Sequence, residues 1–191
     1  MNFQKAFTLI TLTFLSFCSS ICAQETPDME TPMMEKVKND LLTDYPPIEE
    51  YFDFWVGDWK VWWEEGEGKK GTGTNTITKI LGGKGIQEDF KILTGQSKGF
   101  LGTSISILES KQKKWKQTWM DSSGSYFDFD GKIENGNPIF QTKMVEKDDQ
   151  QIIRKMTFKD ITKKGFTWDW EGTQDGGKTW KLLWRVYYEA E

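Results

Sequence analysis

The chain has 191 residues, 25 basic and 29 acidic side chains, a net charge of −4 and no histidine, and its only cysteines are Cys18 and Cys22. Everything after residue 23 therefore lacks thiol and imidazole, which excludes Ser-His and Cys-His nucleophiles, histidine acid/base chemistry, His/Cys zinc sites and imidazole-ligated haem. The acidic balance argues against nucleic acid as a partner, and no cofactor or metal is expected.

At the N terminus come Lys5, an apolar run from Ala6 to Phe17, and Ser19-Ser20-Ile21-Cys22-Ala23. This charged, apolar, small-residue order is that of a secretory signal, with cleavage expected after Ala23 and a destination in the periplasm or outside the cell. The run falls short of the roughly 20 apolar residues that cross a bilayer, and no later stretch is longer, so no membrane span is expected. Phe17 and Ile21 precede the two cysteines where lipid attachment would call for a small residue, so simple cleavage is the favoured reading. Loss of 23 residues leaves 168, with 24 basic against 29 acidic groups and a net charge of −5. Without a disulfide, such a domain must be held by its core, and its length permits that.

Residues 24–35 (QETPDMETPMME) are polar and carry two prolines, so they read as a disordered spacer before a single domain over 36–191. Met34, Val37, Leu41 and Leu42 have the spacing of a short amphipathic helix over Met33–Leu42, stopped by Tyr45-Pro46-Pro47 and placed to cap one end of the domain.

From Trp59 onward, alternating polar and apolar stretches are separated by nine Gly- or charge-rich breaks: Gly66–Gly71, Leu81–Gly85, Thr94–Gly99, Ser110–Lys114, Ser122–Ser125, Glu134–Asn137, Lys147–Gln150, Thr162–Gly165 and Gln174–Gly177. Nine breaks predict about ten strands, and Asn135-Gly136 and Asp175-Gly176 are pairs that two-residue hairpins favour. No stretch keeps a helical period, so crossover helices and a parallel sheet are disfavoured. Ten strands with short connections close on themselves or split into a sandwich. Strict alternation in Lys114–Ser122 and Phe166–Thr173, with no long connection, favours an all-β, up-and-down antiparallel barrel.

All ten tryptophans lie between Trp55 and Trp184, more than stability alone requires. Trp115, Gln117 and Trp119 share one strand face, and Phe166, Trp168 and Trp170 share another. Inside a barrel these stripes either line a pocket or fill the interior, and a buried Gln117 would demand partners. Asp128 and Asp130, like Asp169 and Glu171, alternate with aromatics and read as solvated faces. Glu88 and Asp89 point to opposite sides, and Glu88 is the candidate interior acid. Gly57-x-Trp59 enters the first strand, where Trp59 would plug the barrel end with the guanidinium of Arg185, on the last strand, stacked on its indole.

Gly57-x-Trp59 with Arg185 resembles the lipocalin and calycin superfamily, in which a tryptophan and an arginine close the barrel base. The longer pattern resembles a bacterial family of exported proteins described only as a domain of unknown function. That pattern comprises Phe52-Asp53-Phe54-Trp55-Val56-Gly57-x-Trp59, Gly82-Gly83 before a strand bearing Glu88, Trp115-x-Gln117-x-Trp119-x-Asp121, and Asp175-Gly176-Gly177-x-Thr179-Trp180 before a final strand ending in Tyr188. It covers about Tyr51 to Tyr188, implies the barrel and supplies no activity. The architecture is also similar to ten-stranded haem-binding barrels, whose proximal histidine has no counterpart here. Thr173-x-Asp175-x-Gly177-x-Thr179-Trp180 matches the Asp-box of sialidase-type propellers; one copy is read structurally, with Asp175 accepting backbone N–H groups and Trp180 packed beneath.

The expected function is binding of a small apolar or aromatic molecule in an interior lined by Trp59, Trp63, Trp115, Trp119, Trp168 and Trp170 and oriented by Gln117, Glu88 and Arg185. Two alternatives stand beside it. One is a carboxylate-dependent isomerase, cyclase or hydrolase centred on Glu88; the other is an envelope domain with a filled barrel.

Overall fold

The computed structural model describes residues 46–191. The signal, the spacer and the helix expected over Met33–Leu42 lie outside the described residues. Eleven strands follow one another: β1 (Gly57–Gly66), β2 (Lys69–Ile80), β3 (Gly85–Thr94), β4 (Leu101–Glu109), β5 (Lys114–Asp121), β6 (Tyr126–Glu134), β7 (Asn137–Thr142), β8 (Val145–Lys147), β9 (Gln150–Thr162), β10 (Gly165–Thr173) and β11 (Lys181–Ala190).

From β1 to β7 each strand pairs antiparallel with the next. β7 then pairs with β9, β9 with β10 and β10 with β11. The last strand returns to the first, with Trp59 opposite Ala190 and Val61 opposite Tyr188. Ten strands thus close an up-and-down barrel, which settles barrel against sandwich and leaves no open edge in the main ladder.

All nine expected breaks fall between strands. The segment Asn137–Lys147, expected as one strand, is two. The Thr142 hydroxyl, in place of a ladder carbonyl, accepts the Arg154 N–H at 3.0 Å, and the chain leaves the barrel there. It returns as β8 to pair with Gln150–Ile152 at the start of β9. Asn135 and Gly136 take φ of 50° and 83°, the expected hairpin geometry. Asp175-Gly176 is not a two-residue hairpin: β10 and β11 are joined by residues 174–180. The Asp175 carboxylate gathers this loop instead, accepting from the Thr173 hydroxyl (2.6 Å) and the N–H groups of Lys178 (2.9 Å) and Thr179 (3.0 Å). Trp180 packs against the barrel wall with the Lys155 ammonium 4.0 Å from its ring.

Period-two alternation sends Trp59, Val61 and Trp63 of β1 and Asn75 and Ile77 of β2 inward, together with Ile86, Glu88 and Phe90 of β3. Ahead of β1, two short 3-10 turns (Ile48–Glu50 and Asp53–Trp55) fold into one end of the barrel. Phe52 is fully buried and stacks on Phe140 at 4.1 Å, with Trp115 edge-on at 5.3 Å, while Trp55 meets Phe158 at 5.3 Å. Two indole N–H groups tie this plug to the strands: Trp59 donates to the Trp55 carbonyl (2.8 Å) and Trp115 to the Ile48 carbonyl (2.5 Å).

Trp59 therefore sits at the barrel base as expected, with its ring over Gly57 and edge-on to Phe166 at 5.0 Å. Arg185 does not join it. In β11 it lies between the inward Trp184 and Val186 and so points outward. There it grips Asp169 of β10 with two bonds of 2.6 and 2.7 Å. The reason is register: Trp59 pairs near Ala190, five residues further along β11 than Arg185, and an odd offset places a side chain on the opposite face. Asp169 is on the outer wall, as expected of an acid alternating with Trp168 and Trp170. It is not solvated, however, because Arg185 and Lys159 cover it to 1 % exposure. Against burial, which raises its pKa, these two cations hold it below the usual carboxylate value.

Candidate functional site

The plugged half of the barrel buries Phe52, Trp55, Trp115, Phe140 and Phe158, whereas the other half holds a cavity of about 190 Å³. Its wall consists of Phe90 (β3), Phe100 ahead of β4, Trp119 (β5), Phe127 and Phe129 (β6), Met156 (β9), Trp168 and Trp170 (β10), and Trp184, Val186 and Tyr188 (β11). Trp168 and Trp170 lie parallel, 6.2 Å apart, and Trp184 meets Trp168 edge-on at 5.7 Å. Trp119, Phe127, Trp168, Trp170 and Trp184 all point inward yet remain partly exposed, so the cavity is a cup that reaches solvent at the end away from the plug.

Two carboxylates complete the lining. Asp121 stands at the rim, where β5 ends. It accepts from the Trp119 indole (3.1 Å), the Ser123 hydroxyl (2.8 Å) and the N–H groups of Ser123 and Ser125. Against a burial contribution that raises its pKa, these bonds hold it near 2. Glu88 lies at the floor, 5 % exposed. Its Oε1 accepts from the Asn75 amide at 2.7 Å and its Oε2 from the Ser104 hydroxyl at 2.6 Å. Asn75 also donates to the Tyr188 hydroxyl at 2.9 Å. Burial outweighs both bonds to Glu88 and pushes its pKa up to about 7; burial, and then the neighbouring Glu88, raise Tyr188 well above its ordinary value.

This floor serves either protonation state. With the Asn75 nitrogen turned to Glu88 it solvates a carboxylate, and in this arrangement Asn75 Oδ1 has no partner among the described residues. A half-turn of the amide would present Oδ1 to a protonated Glu88 and to the Tyr188 O–H, and would move the Asn75 nitrogen to the position where Oδ1 now has no partner among the described residues.

Among known proteins, no family model matches this chain and no curated protein matches it.

Of the residues singled out from sequence, Glu88, Trp119, Trp168 and Trp170 meet in the cup. Trp63 lies outside its lining, edge-on to Trp184 at 5.3 Å with its N–H on Glu65. Trp115 belongs to the plug. Gln117 is buried one layer below the cup, donates to the Ser106 hydroxyl at 3.0 Å, and leaves its Oε1 unpartnered among the described residues. Asp175, Gly177 and Trp180 belong to the β10–β11 loop on the outer wall.

The sequence reading missed Asn75, Ser104 and Tyr188, which build the floor, and Phe90, Phe100 and Trp184, which build the wall. Period two was signal enough for most of these. Asn75 continues the inward Gly71 and Gly73, Ser104 and Ser106 alternate with Thr103 and Ile105, and Trp184, Val186 and Tyr188 share one face. Phe100 precedes its strand and gave no such signal.

Proposed function

We propose that this protein is an exported small-molecule-binding barrel that holds a compact apolar or aromatic ligand in the cup. The observation that carries this reading is the contrast along the barrel axis. Phe52, Trp115, Phe140 and Phe158 are sealed at one end, while five inward-facing aromatics at the other retain solvent contact. A wall built only for stability would close over itself, because exposed indoles forfeit the burial that makes them stabilising. A cavity of about 190 Å³ is somewhat larger than the engineered apolar cavities that accept benzene, so one ring with a short substituent matches it. Export rests on the signal-like first 23 residues, and kinship with lipocalin-like barrels on the Gly57-x-Trp59 step and the barrel topology.

The test is calorimetric titration of the purified protein with small aromatic alcohols, amines and acids, together with native mass spectrometry of the protein as isolated. Saturable one-to-one binding, lost when Trp168 and Trp170 are both replaced by Ala, is the expected result. Absence of binding across the panel refutes the reading.

A second reading has its own observation. Glu88, beside Tyr188 and titrating near 7, is a carboxyl able to give and take a proton at neutral pH. Turnover of a bound carbonyl or ester compound that Glu88→Gln abolishes would establish an enzyme; binding without turnover refutes it.

A further inference from the structure

Resting on the cup reading, we propose that the ligand carries a protonated amine on its small apolar body, and that this ammonium group sits against Glu88 at the cup floor.

Three observations lead there. Nine of the thirteen lining residues are aromatic, and any ring face among them that meets a ligand, being the negative side of the aromatic quadrupole, favours a cation over an anion. The two carboxylates that line the cup, Glu88 and Asp121, are joined there by no lysine or arginine among the described residues, so the field inside has one sign.

The third observation is a comparison within the molecule. On the outer wall Asp169 has Arg185 and Lys159, Asp130 has Lys114 and Lys116, and Glu134 has Lys132 and Lys155. Glu88 is nearly as buried as Asp169, yet it has two neutral donors and no cation. Asn75 and Ser104 supply the hydrogen bonds a carboxylate needs; what a carboxylate in this setting lacks is a positive charge, and the cup delivers whatever enters it to that oxygen. The other titratable groups facing Glu88 are Tyr188 from β11 and, across the cavity, Asp121 from β5; Asp89 beside it points outward. None can provide the charge. Ammonium binding would ionise Glu88 and release its proton, leaving the Asn75 amide in the orientation that donates to it.

The probes are three matched single-ring compounds titrated by calorimetry: 2-phenylethylammonium, 2-phenylethanol and phenylacetate. The ammonium should bind at least about tenfold more tightly than the alcohol, with phenylacetate weakest. Glu88→Gln should abolish the preference for the ammonium over the alcohol, and a cooperative urea transition of the variant shows that it is folded. If that variant does not fold, the unmodified protein still decides: at about pH 6 the ammonium, unlike the alcohol, should release a proton on binding, read from the buffer dependence of the heat. An ammonium that binds no better than the alcohol, or binds without proton release, overturns the amine inference while the alcohol's saturable binding leaves the cup reading standing. Silence from all three probes overturns both.

Discussion

Replacing Glu88 by Gln should make the protein more stable at pH 8 and change little at pH 5. Glu88 titrates near 4.5 in an unfolded chain and near 7 in the barrel, chiefly because burial opposes its charge. The folded state therefore holds the proton more tightly. Stability is at its full value below about pH 4.5 and declines as pH rises, until the folded group has also ionised above about pH 7. At about 1.4 kcal/mol per pH unit the whole interval is worth about 3 kcal/mol, of which some 2–3 kcal/mol falls between pH 5 and 8.

The chain has no histidine, so the usual source of stability change in that window is missing. The carboxylates held below their ordinary values, Asp121, Asp130, Glu134, Asp169 and Asp175, act with the opposite sign and lower down. Their contribution is lost as pH falls below about 4. Gln preserves the shape of Glu88 and cannot ionise. Urea unfolding of both proteins at several pH values from 5 to 8 isolates the effect. Wild-type stability should fall across the window while the variant stays level. Parallel curves would mean that Glu88 is not buried as described, and would remove the physical basis for treating the floor as a proton-responsive site.

Phe52→Ala should cost about 3–5 kcal/mol, read by urea unfolding, because the ring is fully enclosed by Phe140, Trp115 and Phe158; a loss below about 1 kcal/mol would mean the plug is not seated. Gly102→Ala would put a methyl group into the Trp119 ring. The indole should swing into the cup and weaken binding of 2-phenylethanol by about tenfold or more while the domain still unfolds cooperatively; unchanged affinity would show that Trp119 does not bound the cavity. Arg185→Met should cost about 1 kcal/mol, since its guanidinium is half-exposed and Lys159 still faces Asp169. That cost should largely vanish in an Asp169→Asn background. An effect as large as that of Phe52→Ala would instead place Arg185 in the barrel base.

What could be read in advance depended on whether a feature is local. Breaks between strands are written in consecutive residues, so the turn at Asn135-Gly136 and the ten strands of the barrel were legible, though not the separate β8, as was the inward face of Glu88. Closure could be argued because ten short-linked strands have few other outcomes. Register across the first and last strands is not local. Arg185 was misplaced because its distance along β11 from the Trp59 pairing site depends on how β1 and β11 align, and one residue of slip reverses every face. Asp175 misled for a related reason: its dipeptide carries a hairpin signal, but its carboxylate finds more donors in a wider loop. The floor escaped because Asn75, Ser104 and Tyr188 come from three strands and are individually unremarkable polar residues; only the barrel brings them to one carboxylate.

Period two also cannot tell a filled layer from an open one, because Trp115 and Trp119 sit on the same face of the same strand. What separates them is height along the axis. The plug formed by Phe52 and Trp55 reaches as far as Trp115, whose N–H it engages through the Ile48 carbonyl. Above it the Gln117 and Ser106 layer is bonded to itself. Trp119, one layer higher still, looks across the cup, as do Trp168, Trp170 and Trp184, whose indole N–H groups have no protein acceptor among the described residues. Stability is thereby concentrated in the closed half, where aromatic rings are enclosed and the Trp59 and Trp115 N–H groups are satisfied, although that of Trp55 has no partner among the described residues. The open half is free to keep rings exposed and a carboxyl under tension. Substitutions near the plug should therefore register first in unfolding, and substitutions of the rings above Glu88 first in ligand affinity.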